Sequence, residues 1–295
     1  MMIKAHLNND MSIIKISGDD TREYLNNIIT NNIEQVNETK SIYSCLLTPQ
    51  GKFIADFYVA SFDNNIILVT NKKFKDELIK GLNFYKLRSK VNVEDISNLY
   101  QYYFLPFIEE SVFSLEDHSL GKTILYDKSF AFIDPRVTKL GMHVVSSDKA
   151  LGNNTLEISE EDCLNHFLKH GILNMHLIDD LTKFYPLENN LHLLNAVDFK
   201  KGCYVGQELT ARMKLRNKIP RTILPFILTL ETEVDLNHSN IFENDNIVGE
   251  IIYQKDQYIF GHITFRKLSK ELSIDMSFNL ENHHLELNKQ DWLVL

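Results

Sequence analysis

A lone thiol in a cationic setting is the strongest chemical signal in this chain. Cys203 stands between Gly202 and Tyr204 in the stretch Phe199–Arg221. From Lys200 onward that stretch carries seven cations (Lys200, Lys201, Arg212, Lys214, Arg216, Lys218 and Arg221) against one anion, Glu208, in a protein of net charge -9. The residues after Cys203 predict a helix aligning Val205, Leu209 and Met213. That would place the thiol at or just before a helix N-terminus. There the helix dipole, free backbone N–H groups and Lys200/Lys201 would favour the thiolate. Gly202 would let a ligand approach the backbone closely. On spacing alone the plainer alternative is that Cys203 is a small buried apolar residue beside a tight turn. The cations from Arg212 to Arg221 fit either a funnel for carboxylates or phosphates, or a solvated helix face.

Two carboxylates are also candidates. Glu188, in FYPLENN, could grip a cyclic amidine such as a pterin through paired hydrogen bonds, unless it is an ordinary surface glutamate. Asp56 interrupts the apolar strand FIADFYVA; buried, it would need a partner, but alternation favours turning it to solvent. Cys163, His166 and His170 share one helical face at metal-ligand spacing. With no second Cys/His cluster, that face reads as packing. The P-loop, dinucleotide-binding, nucleophile-elbow and zincin motifs are missing from the sequence.

The elements that must carry these residues change character along the chain. MSIIKISG predicts a strand. DDTREYLNNIITNNI predicts a helix with Asp19 as N-cap and Tyr24, Leu25, Ile28 and Ile29 on one face. SIYSCLLTPQGKFIADFYVASF predicts a hairpin turning at Thr48–Gly51. NIILVT, KVNVED and LYQYYFLPFI predict strands, and NKKFKDELIKGL a helix burying Phe74, Leu78 and Leu82. SFAFIDPRVTKLGMHVVSS predicts two strands about Asp134-Pro135, and AVDF has strand character. SEEDCLNHFLKHGI predicts a helix with Ser159 and Asp162 at capping-box spacing and Gly171 as its stop. After Arg221 come the short β-type runs TILPFILTLE, NIVGEIIYQ, YIFGHITF and QDWLVL, which predict a small β-barrel or half-barrel. The boundary falls near Asn217–Pro220, giving a body over 1–217 and a barrel domain over 218–295.

A chain of 295 residues, 44% hydrophobic and 24% charged, can bury a core without disulfide or metal staples. Its cysteines, Cys45, Cys163 and Cys203, are widely spaced, which fits a reducing compartment rather than a disulfide or four-cysteine metal scaffold. No run of eighteen apolar residues indicates a membrane span. The N-terminus shows neither a secretory nor a transit pattern. The overall negative charge and the lack of a second basic cluster argue against direct nucleic-acid binding.

The segment KGCYVGQELTAR resembles the signature of the YgfZ family of folate-binding proteins, relatives of the T-protein (aminomethyltransferase) of the glycine cleavage system. The matching positions are Lys201, Gly202, Cys203, Tyr204, Gly206, Gln207, Glu208 and Arg212. TNNI at Thr30, CLLTPQGKFIADFYV at Cys45, DPRVTKLG at Asp134, FYPLENNL at Phe184 and VGEI at Val248 agree in order, so the likeness covers nearly the whole chain. It implies an α+β fold, with a folate-binding body of two interlocked α/β subdomains and a C-terminal β-barrel. It implies a tetrahydrofolate-dependent role in iron–sulfur cluster assembly or repair, in client enzymes that include modifiers of tRNA. A reduced folate would be the cofactor, a transient iron–sulfur cluster a second, and client enzymes and assembly scaffolds the partners. The resemblance implies folate contacts at Glu188, Asp56, Gln207 and Arg212, a functional thiol at Cys203 and no resident metal site. Bacterial cytoplasm is the expected location, or the mitochondrial matrix for a eukaryotic chain. T-proteins carry paired aspartates where this chain has Ala55 and Asp56, so the alternative of aminomethyl or one-carbon transfer lacks one of its carboxylates.

Overall fold

The computed structural model describes residues 3–107, 117–126, 128–147, 155–181, 184–216, 219–228, 235–273, 276–280 and 283–294. Two sheets form the body. The first has five strands in the order β3-β4-β5-β2-β6: β2 is Met11–Ser17, β3 Ile42–Leu47, β4 Phe53–Phe62, β5 Asn65–Asn71 and β6 Asn92–Asp95. The second has six, ordered β11-β1-β7-β10-β9-β8: β1 is Ile3–Leu7, β7 Gln101–Leu105, β8 Thr123–Tyr126, β9 Ser129–Ile133, β10 Met142–Ser146 and β11 Thr155–Glu157. The chain begins in the second sheet, crosses to the first at β2 and returns at β7, which interlocks the halves. Among the described residues four α-helices accompany the sheets: α1 (Thr21–Ile28), α2 (Lys72–Lys86), α3 (Glu160–Lys169) and α4 (Gln207–Leu215). The main apolar core runs between the sheets, with Phe57 of β4 and Phe130 and Phe132 of β9 fully buried in it.

Local chemistry explains most of these elements. The β3–β4 turn closes with Gly51 N–H donating to Thr48 O at 2.8 Å and Gly51 at φ +75°, a conformation that disfavours any side chain. Helix α2 buries Phe74, Leu78 and Leu82, and α3 carries the Ser159/Asp162 capping box with Gly171 at φ +70° behind it. β9 and β10 pair around Asp134-Pro135.

Other expectations fail for equally local reasons. Helix α1 ends at Ile28, not Ile33, and its N-cap is Asp20 rather than Asp19. The Asp20 carboxylate accepts the Lys90 N–H instead of capping the helix. AVDF forms no strand. QDWLVL forms none either in its described residues, where Trp292 Nε1 donates to His170 O at 3.0 Å and fastens the C-terminal segment to the body. The barrel is closed, ordered β12-β15-β14-β13-β16-β17. Its strands are β12 Arg221–Ile227, β13 Asn240–Glu243, β14 Asn246–Lys255, β15 Tyr258–Thr264, β16 Phe278–Leu280 and β17 His283–Leu287. Closure by the β12–β17 pairing leaves no free edge. The anticipated boundary at 217/218, and Lys218 with it, lie outside the described residues.

Candidate functional site

A cavity of about 70 Å³ lies between the two sheets, and polar side chains face it from both. Asp56 is one of them. It sits on the cavity side of β4, half-buried, and accepts a 2.5 Å hydrogen bond from Tyr43 Oη. The expectation that alternation turns Asp56 to solvent is therefore corrected. The opposite sheet turns that face of β4 inward. Burial raises the Asp56 carboxyl, opposed by the Tyr43 hydrogen bond and the Arg136 charge. Ala55, one step along the strand, is fully buried and does not line the cavity. A carboxylate missing at position 55 thus removes nothing from this space.

Asp134 and Arg136 anchor the far wall. Arg136 grips the fully buried Asp134 through Nη2 at 2.8 Å and Nε at 3.1 Å, and its Nη1 donates to Asn174 Oδ1 at 2.9 Å. Its guanidinium lies over the rings of Tyr43 and Tyr58, at 5.2 and 5.4 Å. His143 bonds Asp134 Oδ2 through Nε2 at 2.9 Å and Tyr102 Oη through Nδ1. A carboxylate only accepts, so Nε2 carries the proton and Nδ1 accepts from the tyrosine. Burial lowers the His143 ring against the pull of Asp134. Burial works against the Asp134 charge, but Arg136 and His143 outweigh it and hold the carboxyl well below the usual range.

One side of the cavity is pinned. Residues 174–178 are tied inward by the Arg136–Asn174 bond. They are tied outward by Lys73 Nζ, which donates to His176 O at 2.8 Å and Ile178 O at 3.0 Å. Tyr43, by contrast, also lines an open cleft of about 470 Å³.

The cysteine loop is built separately. Lys201 is buried, and its ammonium donates to the carbonyls of Asn26, Ile29 and Asn31 at 2.6, 2.8 and 2.9 Å, satisfying all three protons at the end of α1. Burial lowers Lys201 to about 8. Thr30 Oγ1 donates to Ala196 O and Asn31 Nδ2 to Asn195 O, so TNNI fixes the approach to the loop. Val205 N–H bonds Asn27 O, and Gly206 packs at φ +80° against the Thr48–Gly51 turn, where a Cβ would lie 2.5 Å from Thr48 O. Between these anchors Gly202 and Cys203 are exposed, and nothing lies within 4 Å of a Cβ built on Gly202.

This corrects the reading of Cys203 as a buried apolar residue and also part of the thiolate reading. The helix starts at Gln207, behind the Gly206 N-cap, and Lys201 is committed to backbone carbonyls. The other two thiols are buried, and burial pushes both Cys45 and Cys163 up to about 12. Cys203 is the exposed thiol of the three.

The remaining expected residues are dispersed. Glu188 is 2% exposed and bonds Arg221 Nε at 3.0 Å and Tyr185 N at 2.9 Å, at the seam between body and barrel. It does not line the cavity, and neither do Gln207 or Arg212 on α4. Glu208 and Arg212 are exposed; Tyr204 is buried with its ring 5.2 Å from Lys201 Nζ. The basic run thus splits into an internal clamp, an exposed helix face and a seam arginine. Among the described residues no group of His, Cys, Asp and Glu could hold a metal. His166 Nε2 bonds backbone carbonyls instead. No helix among them is long and apolar enough to cross a membrane.

Sequence reasoning missed Tyr43, Tyr58, Tyr102, Asp134, Arg136 and His143 as a site. A signal was available: Asp134-Pro135-Arg136 places opposite charges two apart at a strand end, and His143 stands alone in an apolar strand.

Comparison with known proteins bears on the whole arrangement. Residues 8–104 match the family described as the GCVT N-terminal domain, a range that contains the entire five-stranded sheet. The chain is similar to a protein of Neurospora crassa named iron-sulfur cluster assembly factor IBA57 homolog, mitochondrial: 30% identical over 230 residues, 74% of this chain and 52% of that one. The homolog of the same name in Mycosarcoma maydis is 28% identical over 229 residues, 72% of this chain and 54% of that one. IBA57 of Mus musculus is 26% identical over 234 residues, 72% of this chain and 63% of that one. The chain therefore spans between half and two thirds of these relatives. The glycine cleavage system aminomethyltransferase T from Bartonella henselae superposes with a TM-score of 0.77 at 12% identity, covering 99% of this chain and 86% of that one. The fold is that of the T-protein, with mixed α/β sheets and a C-terminal six-stranded barrel.

Proposed function

We propose that this protein is an iron–sulfur cluster assembly factor that binds a reduced folate in the cavity between its sheets and presents Cys203 to its partners. The names of its relatives support the first part. The single structural observation that carries the folate reading is the Asp56 carboxylate, facing a cavity walled by aromatic rings. A pterin offers two adjacent N–H donors, and a carboxylate accepts both. The donor set therefore fits the ring. Room is the constraint, because about 70 Å³ holds a few waters and not a two-ring heterocycle. The wall formed by residues 174–178 is bonded on both sides, so Tyr43 must yield space.

In this reading Asp56 orients the ring, Arg136 and the tyrosines shape the pocket, and Glu188 holds the body to the barrel. Cys203 serves as one cluster ligand or one contact. A single thiol cannot complete the usual four-cysteine set, so a stable cluster needs donors from a partner. Client enzymes, including those that modify tRNA, and scaffold proteins are the proposed partners. Relatives named as mitochondrial suggest the matrix, and the bacterial cytoplasm remains the other proposed location.

Isothermal titration with tetrahydrofolate tests the ring site. Asp56→Asn is expected to weaken binding about tenfold or more, from the loss of a charge-assisted pair. Unchanged affinity would remove Asp56 from the site. For the thiol, Cys203→Ser should fail to restore cluster-enzyme activity in a deletion strain, and full restoration would sink its role.

A second reading, one-carbon transfer to the folate, is favoured by Asp56 itself, since the cavity-facing aspartate is present. It predicts turnover of an aminomethyl donor with tetrahydrofolate, lost in Asp56→Asn.

A further inference from the structure

The open cleft beside the cavity has no part in the function proposed so far, yet its position and charge suit one kind of ligand. It measures about 470 Å³, within the range of small-molecule sites. Tyr43 lines both spaces, and the cleft residue Pro135 precedes Arg136 of the cavity. Tyr43 is thus part of the partition between them. Alone, the cavity is too small for the ring; joined to the cleft across Tyr43, the two form one elongated site.

Two lysines from separate segments, Lys40 and Lys200, both exposed, line the cleft. Among the described residues neither Nζ makes a hydrogen bond or ion pair. Asp198 is the acid of the lining, and its Oδ1 already accepts Lys200 N–H at 2.7 Å. Asn31 and Asn195 donate their amide protons to backbone carbonyls. The uncommitted donors are therefore the two lysine ammonium groups. Ammonium groups on flexible stems suit carboxylates whose position varies along a chain, whereas a fixed phosphate would call for the planar fork of arginine.

We infer that this cleft is a subsite for the carboxylate-bearing tail of the ligand whose ring enters the cavity, with Lys40 and Lys200 as its charge partners. The inference rests on the folate reading and names its preferred form, an oligo-γ-glutamyl one. The loop carrying Cys203 begins in the wall of the same cleft, at Lys200.

The test compares tetrahydrofolate with one and with three γ-linked glutamates, by titration calorimetry at low and high salt. The wild-type protein is expected to bind the triglutamate form about five- to tenfold more tightly, with the difference shrinking at high salt. The double variant Lys40→Gln/Lys200→Gln should bind both forms alike, at the wild-type monoglutamate affinity. Both residues are exposed, so an unchanged melting temperature confirms that the variant folds. Equal binding of the two forms by the wild type overturns the inference while leaving the ring site intact. Discrimination that survives the lysine pair but vanishes in Arg212→Gln/Arg216→Gln overturns it too, and moves the tail to α4. Failure of the wild type to bind either form overturns the folate reading itself.

Discussion

The cavity between the sheets and the seam between body and barrel use the same residue types: an arginine, a carboxylate, a histidine and aromatic rings. In the cavity Arg136 holds Asp134, and His143 has a partner on each ring nitrogen. In the seam Arg221 holds Glu188 and lies 4.4 Å from the Phe184 ring centroid, while the His262 ring lies tilted against the same ring, 4.0 Å between centroids. His262 is 2% exposed, and neither of its nitrogens finds a hydrogen-bond partner among the described residues. The cavity thus spends its polar groups on a satisfied framework around open space. The seam packs them shut. A partnered network can afford a vacancy for a ligand because the framework stays fixed without one; a seam with orphaned nitrogens is a fastening that tolerates some cost.

That contrast can be broken most severely at Arg136. Arg136→Met strips the buried Asp134 of its guanidinium, leaving it only the hydrogen bonds of His143, Tyr58 and the backbone, and should cost about 3–5 kcal/mol in urea denaturation. Glu188→Ala removes the seam ion pair, whose arginine is partly solvated, and should cost about 2 kcal/mol. Its tetrahydrofolate affinity should stay at the wild-type value. An affinity loss matching that of Asp56→Asn would return Glu188 to the ligand site.

The seam histidine gives a smaller, pH-dependent effect. Burial, helped by Arg221, pushes His262 down to about 3, so the folded chain keeps it neutral at pH 5. The unfolded chain takes up that proton near pH 6.5. Acidification from pH 7 to pH 5 therefore favours unfolding, by about 2 kcal/mol from this residue. His262→Phe should raise stability at pH 7 by about 1 kcal/mol by removing the orphaned nitrogens. It should also lessen the fall in melting temperature between pH 7 and 5, by the share of His262, and an unaltered pH profile would show that the ring is hydrated in solution. The smallest stability change is expected for Asp56→Asn, under about 1 kcal/mol, because Tyr43 can still donate to the amide oxygen while a buried charge disappears.

Much of the fold was legible. The hairpin at Thr48–Gly51, the α2 stripe and the Ser159 capping box are encoded within a few residues, and each formed as read. The strands β1, β8, β11, β13, β16 and β17 were not, because three- to five-residue strands carry too little alternation to be told from loops. The candidate site was legible only in pieces. Cys203, Asp56 and Glu188 were marked by type, but a carboxylate reads alike whether it faces a cavity or a salt bridge.

By itself the sequence determined the local structures and the KGCY loop. Capping, turn chemistry and periodicity act over a handful of residues and need no distant partner. Tertiary structure decided where Asp56 faces, since the second sheet, not the alternation of β4, makes that side interior. It also decided that Lys201 is a clamp, that Glu188 meets Arg221, and that Cys203 alone of three thiols is exposed. Each of these depends on groups between 30 and 175 positions apart in the chain. Such contacts form only once the sheets and the barrel have closed, and no local pattern of residues specifies them.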